Sequence, residues 1–369
     1  MRRRPLAPLW LARPSRWAAL STRRARQGLV IVAAIVLASW LALLGPAPPP
    51  VGHDPAARAD LVLYEGIVEG VRHGGNYYQV AADALREGGY PLRPFLTFRL
   101  PTLATVQGAL PRWAVLAALW CLVAAVAAAW WIRLSPAFAR APPRLVAMVL
   151  LAGGLTTFVQ PELVGAHEIW AGLLIALSLA RRWPGRWGEA AAIALAAVLI
   201  RETAALYVGV MLVLAAIEGE RREALGWAAV LAVLAVAIGL HANAVEQVVR
   251  ASDLSSPSWT GMFGFGVFVR AMTLSTALVL VPVVLAAPLV GLALIGWASW
   301  REPLALRVLA TFAAYALLLS LFGRVDTYHW GLLVAPTLLV GLAFAVDGLR
   351  DLVAAALDRR RITVRRAVR

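Results

Sequence analysis

An aspartate in the middle of a helix's apolar arc is costly, and Asp60 is such a residue. Asp54-Pro55 is a helix-start signature, an N-cap acid followed by proline at the first helical position, and the pattern it opens runs to about Arg72. At 100° per residue, Arg58, Glu65, Glu69 and Arg72 share one side, and Tyr64, Ile67, Val68 and Val71 the other, with Asp60 among the second group. A carboxylate placed there must be paired or hydrogen-bonded, and near a membrane such a residue is a candidate for function. Within hydrogen-bond reach of a hydroxyl it could act as a general base. A salt bridge to a loop arginine, or a cap at a later helix start, would explain it without chemistry.

Candidates for binding an anion lie further on. Arg93 and Arg99 sit among Tyr90, Phe95 and Phe98, in a run held extended by Pro91, Pro94 and Pro101. Guanidinium groups beside aromatics suit a phosphate, although they also suit plain anchoring to lipid headgroups. Arg201-Glu202 interrupts two apolar runs and reads as a phosphate contact oriented by its neighbour, or as an ion pair closing a helical hairpin. His329, beside Asp326 and Tyr328, could hydrogen-bond a phosphate or a sugar; interface anchoring by Tyr328 and Trp330 is the alternative. His167-Glu168 is weak as a metal site and plausible as polar lining. Arg270 either snorkels to the interface or meets a phosphate.

Composition decides what holds these groups. Hydrophobic residues make up 61% of the chain and charged residues 15%, against about 25% charged in soluble domains, so the chain belongs in a bilayer. The expectation is an all-α polytopic transmembrane bundle, one domain over residues 1–369. Spans of about 20 apolar residues fall near 28–45, 113–132, 145–160, 168–180, 189–201, 203–217, 224–241, 272–298, 303–322 and 330–347, about ten in all, the fifth and sixth short enough to form a tight hairpin. The N-terminal apolar run is too long for a secretory signal and reads as an uncleaved first span. All 35 basic residues are arginine; with this topology 25 fall on one side and 10 on the other, the positive-inside bias. Both termini are then cytoplasmic, with basic segments at 1–27 and 348–369, and no soluble basic domain exists to bind nucleic acid. The single cysteine, Cys121, excludes an intramolecular disulfide.

The opposite side carries three longer segments, Gly45–Arg112, His241–Gly266 and Gly323–Trp330, and 12 of the 20 acidic residues. A loop as long as 46–112 is usually structured and functional. After the Asp60 helix, Gly74-Gly75 breaks the chain, Asn76 can cap a second helix over Tyr77–Glu87, and Gly88-Gly89 ends it. Both helices are amphipathic and suited to the interface plane, and they put Tyr64 and Tyr78 on apolar faces as candidate substrate contacts.

An acid on a helix after the first span, a Tyr-Tyr pair (Tyr77-Tyr78) leading a second helix, and the run Tyr90-Pro91-Leu92-Arg93-Pro94-Phe95 together resemble the GT-C superfamily of integral-membrane glycosyltransferases. That resemblance implies a sugar moved from a polyprenyl-phosphate donor to an envelope glycan or lipid acceptor on the non-cytoplasmic side of a bacterial inner membrane. Asp60 would be the base, and Arg99, with Arg93, would grip the lipid phosphate. It leaves a divalent cation open and requires no other cofactor. The competing expectation is a transporter or flippase for a lipid or amphiphile. Transporters bury ionisable groups near mid-membrane, whereas here the polar groups crowd one face.

Overall fold

The computed structural model describes residues 7–44, 55–257, 261–323 and 325–358, with the side chains of 55–58 and 325–328 left aside. The Asp54 cap, Arg2 to Arg4 and the tail from 359 onward lie outside the described residues, and the Arg58, Asp326 and Tyr328 side chains lie outside the described side chains.

Among the described residues the chain is helical, with three isolated bridges in place of strands. Five segments are long and apolar enough to cross a membrane: Thr22–Leu43, Arg112–Ala137, Ala141–Val159, Arg221–Glu246 and Pro303–Phe322. They contain α1 (Thr22–Ser39), α5 (Arg112–Leu134), α6 (Ala141–Leu155), α10 (Arg221–Glu246) and α13 (Pro303–Phe322). Between α1 and α5 lie α2 (Pro55–Arg72), α3 (Tyr77–Glu87) and α4 (Thr102–Ala109). Shorter helices fill the bundle: α7 (His167–Arg181), α8 (Gly188–Ile200), α9 (Ala205–Ile217), α11 (Phe265–Leu274), α12 (Val283–Ser299), α14 (Ala335–Leu338) and α15 (Gly341–Ala356).

Two expected spans are built differently. The apolar run 272–298 is not one helix: α11 ends at Leu274, a 3-10 turn covers Ala277–Leu280, and α12 starts after Pro282, because proline cannot continue a preceding helix. The run 330–347 begins as a 3-10 helix, Val325–Leu333, and the α-helix proper is α15, which continues to Ala356. The expected basic tail at 348–369 therefore starts as buried helix. Asp347, just before that segment, and Asp351 within it are buried and accept backbone N–H groups of the N-terminal segment, from Leu9, Trp10 and Leu11 on Asp347 and from Ser15 on Asp351. The first helix likewise starts earlier than expected, at Thr22, capped by Ser21.

Small residues set the helix spacing, as membrane packing requires. A Cβ on Gly296 of α12 would overlap the Gly341 carbonyl, and one on Gly341 would overlap that of Ala293, so α12 and α15 cross in near backbone contact. Gly172 of α7 does the same against Leu332, bringing the 325–333 segment onto α7. Gly172 lies one turn after Glu168, on the same face, so the contact that seats this segment also brings His329 to Glu168.

The bundle's two ends differ. At one, Arg182 pairs with Glu223 through two hydrogen bonds of 3.0 and 2.8 Å, and Arg307 pairs with Glu218. At the other, α2 packs on α3 and α4, and α4 reaches α8 and, through Gln107, the Val164 carbonyl. The two halves of the α8–α9 hairpin have 13 residues each, about 20 Å at 1.5 Å per residue, and its turn is Arg201–Ala204.

Candidate functional site

The loop helices form where glycine and asparagine punctuate the chain. α2 stops at Arg72 before Gly74, whose φ is 85°, and the Asn76 side chain accepts the N–H groups of Tyr78 and Gln79 to start α3. α2 turns as the helical wheel requires: Glu65 and Glu69 are exposed, Ile67 is buried and Asp60 is half-buried. Glu69 pairs with Arg72, and Glu65 lies 3.4 Å from Arg112.

Burial pushes the Asp60 carboxyl above the usual carboxylate range, against the opposing pull of the nearby Tyr90 hydroxyl, of His329 and of Arg99. Tyr64, one turn along α2, accepts a 3.1 Å bond from Arg99 Nε, and the Tyr77 hydroxyl donates to the Arg99 carbonyl at 2.6 Å. Both hydroxyls are pushed up, chiefly by burial, and stay protonated. Burial opposes the charge on Arg99, but Tyr64, Glu168 and Glu202 outweigh it and hold the guanidinium firmly protonated.

Glu168, at the start of α7, gathers the cations. Its Oε1 lies 2.7 Å from Arg201 Nε, 3.7 Å from His329 Nε2 and 3.9 Å from Arg99 Nη2. Only the first is a hydrogen bond, so Arg99 and His329 are drawn to Glu168 without being bound by it. Burial lowers the His329 pKa, with Glu168 opposing, which favours a neutral imidazole. Arg201 is 2% exposed and clamped between Glu168 and Glu202, while Tyr315 donates to the Thr203 carbonyl at 2.9 Å. Arg201 thus closes the α8–α9 hairpin and props Glu168. Glu202 Oε2, Thr203 Oγ1 and both ring nitrogens of the buried His167 have no hydrogen-bond partner among the described residues. Such groups call for an explanation in function or in bound water.

The structure thus brings together Asp60, Tyr64, Arg99, Arg201, Glu202 and His329 of the sequence candidates. Two others stand apart. Arg93 is exposed and donates to the Asp253 carbonyl at 2.6 Å, and its backbone pairs with Leu254 and Ser256. None of its hydrogen bonds or ion pairs reaches Arg99's group. Tyr78 turns toward α10, 3.2 Å from His241 Nδ1, and touches the cluster only through the edge of Tyr77. The connection after α10 thus folds onto the first loop. Arg86 of α3 grips Asp253 through two bonds of 2.9 Å and holds its carboxyl down to about 2. Arg270 donates to the Ala42 carbonyl, tying α11 to the end of the first span. Sequence reasoning undervalued Tyr90, Tyr77, Glu168 and His167. In the sequence Tyr90 is one aromatic beside Arg93 and Tyr77 is half of a Tyr-Tyr pair, and only the His167-Glu168 dipeptide points to a polar lining.

Beside this cluster an apolar groove of about 250 Å³ runs between α4, α5, α7 and α8, lined by Leu103, Val106, Leu110, Val115, Leu122 and Leu174 among others. Leu103 and Gln107 also line a cavity of about 10 Å³ that reaches Tyr64, Tyr77 and His167. Among the described residues no set of three or more His, Cys, Asp or Glu side chains is arranged to hold a metal ion. No protein-family model matches this chain, and neither a curated protein nor a solved structure does.

Proposed function

We propose that this chain is an integral-membrane glycosyltransferase that moves a sugar from a polyprenyl-phosphate donor to a glycan or lipid acceptor, inverting the anomeric centre. The observation that carries this reading is the half-buried Asp60 on the loop helix whose next turn, at Tyr64, meets Arg99. The resemblance to the GT-C superfamily supports it, and so does an apolar groove that shares Leu103 and Gln107 with the small cavity at Tyr64, as a lipid-linked substrate requires. About ten spans, cytoplasmic termini and a site facing the periplasm complete the proposal, and place it in a bacterial inner membrane.

In this mechanism the acceptor hydroxyl donates its proton to Asp60 as its oxygen attacks the anomeric carbon. The new glycosidic C–O bond forms while the bond from that carbon to the phosphate oxygen breaks, and the electron pair leaves with the lipid phosphate. A pKa raised by burial suits a general base, because proton transfer works best near the operating pH. Arg99, drawn to Glu168 but not hydrogen-bonded to it, has donors to offer the departing phosphate, and His329 stands beside the same glutamate. Arg201 is a positioning residue that holds Glu168 in place.

The test is sugar transfer by purified protein in lipid vesicles, from a radiolabelled polyprenyl-phosphate sugar pool, with Asp60→Asn as the control. Transfer by the parent and none by Asp60→Asn is expected. Movement of the lipid across the bilayer without transfer would favour the flippase reading instead.

A further inference from the structure

The end of the bundle away from Asp60 contains three buried or nearly buried arginines, and they are not treated alike. Arg182 is matched by Glu223 and Arg307 by Glu218, each at hydrogen-bond distance. Arg133, in the last turn of α5, is 5% exposed and has no carboxylate within 4 Å and no hydrogen-bond partner among the described residues. Its guanidinium carbon sits over the Trp183 ring, 3.7 Å from the ring centre. Glu302 attracts it only from beyond salt-bridge distance, while Arg182 and Arg307 repel it. Its Nε is sealed from solvent and unpartnered, whereas its two Nη atoms are not among the sealed ones.

A buried cation left without an anion is costly. The cation–π contact returns only part of that cost. Trp131 and Trp183, 38% and 39% exposed, stand at this level of the bundle, and tryptophan marks the depth at which lipid headgroups sit. Arginine presents a planar fork that matches phosphate oxygens two at a time.

We propose that Arg133, stacked on Trp183, is a binding site for a phosphate group at the arginine-rich end, supplied by an anionic phospholipid headgroup or by soluble phosphate. The site is independent of Asp60 and of the proposed transfer reaction. The phosphate takes the place that glutamate occupies on Arg182 and Arg307, accepting from the outer edge of the guanidinium while the indole covers one face.

The experiment uses the full chain, delipidated in detergent. Binding of phosphatidylglycerol, phosphatidylcholine and inorganic phosphate is followed by native mass spectrometry and by the thermal unfolding midpoint. Phosphatidylglycerol is expected to bind and raise the midpoint. Arg133→Met should weaken it at least about tenfold, and Arg144→Met, which removes a second arginine stacked on a tryptophan, Trp131, should weaken it far less. Competition by millimolar inorganic phosphate would assign the site to soluble phosphate; no competition would assign it to the headgroup. Should Arg133→Met not fold, Trp183→Glu decides, because it hands Arg133 a carboxylate of its own and should expel the lipid. Phosphatidylglycerol binding that Arg133→Met, or failing that Trp183→Glu, leaves unchanged overturns the proposal, as does failure of the parent to bind any of the three probes.

Discussion

Removing the Tyr90 hydroxyl offers a sharp probe of the Asp60 carboxylate. That hydroxyl works against burial, favouring the charged form of Asp60, so Tyr90→Phe removes a stabiliser of the base. A full hydrogen bond to a charged group is worth about 1.5–3 kcal/mol, which is a ceiling for two groups that are near but not bonded. Asp60 is only half-buried, so the lower figure sets that ceiling, and about 1.4 kcal/mol corresponds to one pH unit. A general base works deprotonated, so the rate climbs as pH rises through its pKa, and a higher pKa moves that climb upward. Tyr90→Phe should therefore shift the acid limb of the kcat/KM profile for sugar transfer to higher pH, by up to about one unit. An acid limb that stays in place, or moves down, would refute the role given to Asp60. Stability carries the same signature. A carboxyl whose folded pKa is raised contributes stability that is complete below its unfolded pKa and is lost as pH rises through the folded one. Asp60→Asn cannot ionise and escapes that loss. Its unfolding midpoint at neutral pH should match or exceed the parent's, and the difference should vanish at pH 3.

Other expectations concern the supports of the site. Glu168→Gln leaves Arg201 buried with Glu202 as its one remaining carboxylate, and should cost about 3 kcal/mol, read as a lower denaturation midpoint; a change below 0.5 kcal/mol, roughly the size of a surface substitution, would show that the cluster is not held by Glu168. Val106→Trp puts bulk into the apolar groove and should raise KM for a long-chain donor while sparing a water-soluble short-chain one. Equal effects on both would separate the groove from the lipid.

How far these features could be read from residue order depends on the range of the forces behind them. The loop helices were legible because their signals are local: the glycine pairs at 74–75 and 88–89, the Asn76 cap, and the 100° step that turns Asp60 inward while Glu65 and Glu69 face out. Arg93 and Arg99 look equivalent in the sequence, six residues apart in one extended run. Their fates part because Leu254 and Ser256 pair with the backbone at Arg93 while Arg99 passes under Tyr64, and nothing local encodes either contact. Glu168 and Arg201 are 33 residues apart, and their meeting depends on how α7 packs against α8. Apolar composition likewise could not show that 272–298 breaks before Pro282, or that the final helix begins only at Gly341. In a bilayer-like interior a turn and a helix can share the same residues, and packing decides between them.

The most direct measurement is transfer itself. Vesicles holding the parent chain, given a radiolabelled polyprenyl-phosphate sugar and membrane acceptors, should yield a labelled glycan or glycolipid with inverted anomeric configuration. Vesicles holding equally well-inserted Asp60→Asn should yield background alone. Label transferred at the parent rate by Asp60→Asn would contradict the assignment of the base at its root.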